Sequence, residues 1–112
     1  MGNRYERDGY VAVLVSPGFG AGWSSWADES ERELMLFDPH IVDIVLQYQN
    51  RDKREMAEKV QMIVALKKYE SYTGGLDQLE VGWVRKGDRF RINEYDGHET
   101  LETVDSINWT IA

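Results

Sequence analysis

Tyr10-Val11-Ala12-Val13-Leu14-Val15 decides how this chain folds. Val11, Val13 and Val15 are β-branched, and no polar residue interrupts the run. That is the pattern of a strand covered on both faces rather than on one. Ser16-Pro17 closes it, because proline has no N–H to give to a ladder. A strand buried on both sides needs covering material on each, and the downstream segments must supply it.

Leu34-Met35-Leu36-Phe37 reads as a second short strand. Asp38-Pro39 then marks a helix start, with Asp38 as N-cap and Pro39 at the first helical position. Ile41, Val42, Val45, Leu46 and Tyr48 follow at helical spacing. A second helix begins near Asp52, where Asp52 and Glu55 have capping-box spacing. Met56, Val60, Ile63 and Val64 form its apolar stripe, and Tyr72-Thr73-Gly74-Gly75 is expected to stop it. Leu79, Val81 and Trp83 alternate with polar or small residues, as do Phe90 and Ile92. Lys86-Gly87-Asp88 and Asp96-Gly97 supply turns, a weaker strand spans Glu99 to Val104, and Ile107, Trp109 and Ile111 alternate again. The order predicts an α+β fold: a mostly antiparallel sheet of about 4–6 strands, two helices between the N-terminal strands, and a C-terminal β-meander. With no repeat, linker or low-complexity tract, residues 1–112 are expected to form a single domain.

Composition narrows the function. The 112 residues are 42% hydrophobic and 12% aromatic, enough for a core, and contain no cysteine, which rules out disulfides and thiolate metal sites. No apolar run approaches the length of a membrane helix. The first residues lack the apolar stretch of a secretory signal, and Glu6 spoils a myristoylation motif at Gly2, so a cytoplasmic location is expected. The formal charge is −7, from 20 acidic against 13 basic residues, which disfavours direct binding of a nucleic-acid backbone. Glu94, Asp96, Glu99, Glu102 and Asp105 follow one another without an intervening Lys or Arg, and predict an acidic face.

The most unusual stretch is Ser16-Pro17-Gly18-Phe19-Gly20-Ala21-Gly22-Trp23-Ser24-Ser25-Trp26. Gly18, Gly20 and Gly22 can turn backbone amides outward, as in the nests that hold anions. Ser24 and Ser25 add hydroxyls; Phe19, Trp23 and Trp26 offer faces for a base or ring. The alternative is a tight turn whose tryptophans plug the core. No dinucleotide fingerprint or P-loop is present. Arg89 and Arg91 share a strand face opposite Phe90 and Ile92, either to meet a phosphate or to pair across the sheet with Glu80 and Glu94. His40 and His98 show no spacing that pairs them with a serine and a carboxylate, and no metal-ligand spacing occurs, so neither catalysis nor a metal or cofactor is expected.

Val13 to Trp26 (VLVSPGFGAGWSSW), Leu36-Phe37-Asp38-Pro39, Phe90 to Gly97 (FRINEYDG) and Ile107-Asn108-Trp109 together resemble a family of small proteins encoded by bacteriophages and prophages. The resemblance covers most of the chain and carries no catalytic residues with it. It implies an accessory protein working in the cytoplasm of an infected bacterium. Two functions are therefore expected of a non-enzymatic binder in counter-defence. The first is sequestration of a nucleotide-like, phosphate-bearing ligand by Gly18, Phe19, Gly20, Gly22, Trp23, Ser24, Ser25 and Trp26 with Arg89 and Arg91. The second is an acidic protein–protein inhibitor whose Glu94, Asp96, Glu99, Glu102 and Asp105 occupy a basic groove on a host protein. Neither involves direct nucleic-acid or membrane contact, and both leave a homo-oligomer open.

Overall fold

The computed structural model describes residues 4–17, 22–70, 76–95 and 98–103, with the Trp26 side chain also left out of the description. A two-residue strand β1 (Glu6–Arg7) turns at Asp8 and Gly9, with φ of 53° and 83°, into β2 (Tyr10–Val15). Asp-Gly is the pair that tolerates the left-handed backbone of so tight a hairpin. β2 is the middle strand of an antiparallel sheet β1–β2–β3, where β3 (Glu80–Arg85) pairs from Tyr10↔Arg85 to Val15↔Glu80.

Residues 11–15 are all buried, as their uninterrupted apolar run requires, and different partners cover the two faces. Ala12 and Leu14 enter the main core with Trp23, Met35, Ile41, Val45, Met56 and Val60. Val11 and Val13 enter a second cluster with Phe37 and Val84, against which Leu36, Phe90 and Leu101 pack. The period-two alternation of a strand separates the two sets.

Three helices, not two, follow β2. The first, α1 (Glu29–Phe37), takes in Leu34 to Phe37, which the sequence pattern assigned to a strand. A four-residue apolar run fits either structure. Here Glu29 and Glu31 in the first turn complement the helix dipole, and Glu, Leu, Met and Arg are good helix formers. The next helix, α2 (Pro39–Gln47), starts where expected: the Asp38 carboxylate accepts from the His40 and Ile41 amides. In α3 (Lys53–Leu66), Asp52 caps the Arg54 and Glu55 amides, and Met56, Val60 and Val64 are buried.

α3 ends well before the glycines expected to stop it, which lie outside the described residues. Lys68 adopts φ 58°, Lys68 N donates to Ala65 O at 3.2 Å, and Tyr69 N donates to Val64 O at 3.1 Å. This is the Schellman pattern with lysine where glycine usually sits. Asp38 holds it in place, since its Oδ2 accepts from Lys67 Nζ at 2.8 Å and from the Tyr69 hydroxyl at 2.7 Å.

The expected meander breaks after β3. β4 (Phe90–Tyr95) and β5 (His98–Thr103) pair only with each other among the described strands, from Phe90↔Thr103 to Tyr95↔His98. The fold is thus α+β with sheets of three and two strands in place of one larger sheet. β3 follows β2 because its Val81, Trp83 and Val84 reach both clusters, whereas the exposed pattern of β4 offers one apolar face. The strand expected around Ile107, Trp109 and Ile111 lies outside the described residues. No helix among those described is long and apolar enough to cross a membrane.

Lys68→Gly relieves the left-handed strain at the end of α3 and is expected to stabilise the protein by about 1 kcal/mol, read as a rise in the urea midpoint at constant m. Unchanged or lower stability would contradict this account of the helix end.

Candidate functional site

The segment after β2 does hold an anion, and the anion is the protein's own. Glu99 of β5 is 1% exposed, and its carboxylate lies among the groups expected to receive a ligand. Ser16 N donates to Oε1 at 2.9 Å; Trp23 N and Ser25 N donate to Oε2 at 2.7 and 2.9 Å; the Ser25 hydroxyl also donates to Oε2. In return Glu99 N donates to Ser16 O at 2.9 Å. A buried carboxylate is stable only with such partners, and hydrogen bonds to a charged group contribute about 1.5–3 kcal/mol each.

The Trp23 indole is sealed in the core at 0% exposure, so it offers no stacking face. Its Nε1 donates to Met35 O at 2.8 Å, satisfying a carbonyl of the last turn of α1 that has no partner within the helix. Gly22 and Ser24 are buried as well. Gly18, Phe19 and Gly20 lie outside the described residues, as do Asp96 and Asp105 of the acidic face. Glu99 does not stand on that face, and Glu102 accepts from Arg91 Nε at 2.6 Å and from Asn93 Nδ2. Arg91 thus pairs across the ribbon with its register partner Glu102 rather than with Glu80 or Glu94. Arg89 is exposed in the turn before β4.

Two of the cavities among the described residues are walled by α1. The larger, about 660 Å³, lies between Arg4, α1 and the Asp38 corner. Four of its charges are matched in pairs, Arg4 with Glu33 at 2.7 Å and Lys67 with Asp38 at 2.8 Å. Burial, then the hydrogen bond to Asp38, pushes the Tyr69 phenol well above the usual tyrosine range, so it remains a donor. These groups hold the α1–α2 corner against the end of α3.

The smaller cleft, about 490 Å³, unites several expected site residues. Ser24 and Ser25 line it from a 3-10 turn (Ser24–Trp26), Arg32 and Leu36 from α1, and Phe90 and Arg91 from β4. The Arg91 side chain is 69% exposed beside its Glu102 partner, and Arg32 reaches Ala27 O at 3.4 Å. Two guanidiniums, two hydroxyl-bearing residues and a phenyl ring thus border one opening, with Glu94 also on its rim. Arg32 went unnoticed in the sequence because it faces the cleft only if Leu34 to Phe37 are helical, four residues separating Arg32 from Leu36 on one face. Comparison with protein-family models, curated proteins and solved structures gave no match.

The raised Tyr69 phenol sets a pH dependence. Its folded value lies above the ordinary 10.0. Its contribution is therefore complete below that pH and is lost as rising pH strips the proton from the unfolded chain first. Wild type is expected to lose stability above about pH 10 more steeply than Tyr69→Phe in urea unfolding. Parallel curves would show that the phenol carries no such linkage.

Proposed function

We propose that this chain is a non-enzymatic binding protein that takes a nucleotide-like, phosphate-bearing ligand into the cleft between the Ser24-Ser25 turn and β4. The observation that carries this is the convergence of Arg32 and Arg91 beside the Phe90 ring. Guanidiniums recognise phosphate oxygens through paired N–H donors, and an aromatic edge or face accommodates a base. Ser24 and Ser25 line the wall that faces β4, with the Ser25 hydroxyl already donating to Glu99, whereas Trp23 and the amides of Ser16, Trp23 and Ser25 serve the fold. A small cleft with two guanidiniums on a chain of charge −7 also favours a small anion over a long polyanion, which the remaining surface repels. In the phage context implied by the sequence resemblance, sequestering a nucleotide signal of the host would be its use in counter-defence.

An acidic-face inhibitor is less well supported, since Glu99 is interior and Glu102 is engaged by Arg91 and Asn93.

Thermal-shift and calorimetric titration against mono-, di- and cyclic nucleotides tests the proposal. A true ligand at 100 times its Kd is expected to stabilise by about 2.7 kcal/mol, a shift of several degrees for a domain this size. Arg32→Ala and Arg91→Ala are each expected to weaken binding about tenfold or more while leaving stability nearly unchanged, both side chains being surface-exposed. Stabilisation by no nucleotide in the panel would sink the proposal.

A further inference from the structure

Ser25 belongs to the cleft and to the Glu99 clasp at once. The cleft's two walls come from different parts of the fold: the serine turn and α1 on one side, β4 on the other. On its N-terminal side the β4–β5 ribbon joins the body through residues 86–89, where Gly87 has φ 91°. An apolar contact presses the ribbon down. Phe90 meets Phe37 edge-on at 5.9 Å between centroids, and Leu101 lies so close over Gly82 that a Cβ there would fall 2.6 Å from its Cδ2. Apolar burial is non-directional, so by itself it permits sliding and tilting. The hydrogen bonds of Glu99 are directional and specify a single placement.

We propose that the amides of Ser16, Trp23 and Ser25 form a carboxylate seat, that Glu99 is its resident occupant, and that seating this side chain closes the ribbon on the body and forms the cleft. Glu99 is then a positioning residue, acting on the cleft through Ser25 and β4. The proposal deepens the ligand-binding reading by naming what controls the cleft, and rests on that reading only for the ligand, since seat and ribbon involve this chain's own groups.

Hydrogen exchange of the full chain, measured by mass spectrometry without nucleotide, tests it in wild type, Glu99→Gln and Glu99→Ala. Glu99→Gln keeps the bulk but turns an amide NH2 toward amide donors. Ribbon amides within 91–95 and 98–103 are expected to exchange about tenfold faster in both variants, while those of α2 and α3 keep their rates. Excess sodium formate, against sodium chloride at equal ionic strength, is expected to slow ribbon exchange in Glu99→Ala by filling the seat, and to leave wild type unaffected. Unchanged ribbon exchange in both variants overturns the proposal, as does a joint rise of ribbon and helices that formate does not reverse. Should Glu99→Ala fail to fold, the Glu99→Gln comparison decides. Since no arm contains nucleotide, failure here and failure of the nucleotide panel are separate results.

Discussion

Ser16, Trp23 and Ser25 aim their backbone amides at the two oxygens of one interior carboxylate, and much of the molecule is placed by that convergence. Glu99 ties the end of β2, the serine turn and the β4–β5 ribbon together. An unpartnered carboxylate at that depth would cost several kcal/mol, so the segments that supply its donors must all be in place at once. The amides gain as well, because a buried backbone N–H left without an acceptor is itself costly.

Asp38 plays a comparable part at the opposite side of α1. One oxygen caps α2, and the other gathers Lys67 and Tyr69 from the end of α3. Both anchors are carboxylates that join a helix or strand end to a distant segment. Two contacts hold the C-terminal end of α1, where the Trp23 indole satisfies its Met35 carbonyl and Asp38 follows Phe37. Arg32 and Leu36 therefore sit on a helix whose C-terminal end is fixed, which gives the cleft one firm wall opposite the docked ribbon.

What was legible in advance was local. The apolar run of Val11 to Val15, the Asp38-Pro39 start and the Asp52 cap each state their structure within a few residues. The glycine- and serine-rich segment suggested anion binding through the amides of Gly18, Gly20 and Gly22, whereas the amides that meet Glu99 are those of Ser16, Trp23 and Ser25. Leu34 to Phe37 misled because four apolar residues carry no period. The glycines at 74 and 75 misled about the end of α3, because Lys68 takes the left-handed position earlier, held there by contacts of its neighbours Lys67 and Tyr69 with Asp38, 29 and 31 positions away.

The sequence by itself determined a doubly covered central strand, two of the three helix starts, the acidic balance and the presence of a segment able to bind an anion. Only the tertiary structure decided which anion. Any of 20 carboxylates has the chemistry, but only the fold brings position 99 to Ser16 across 83 residues of chain. The same holds for Arg32 and Arg91: their charge is written locally, but their meeting across a cleft follows from the packing of a ribbon on a helix. Hydrogen bonds and apolar contacts act over a few ångströms in space and are indifferent to distance along the chain, so pairings of this kind leave no local pattern to read.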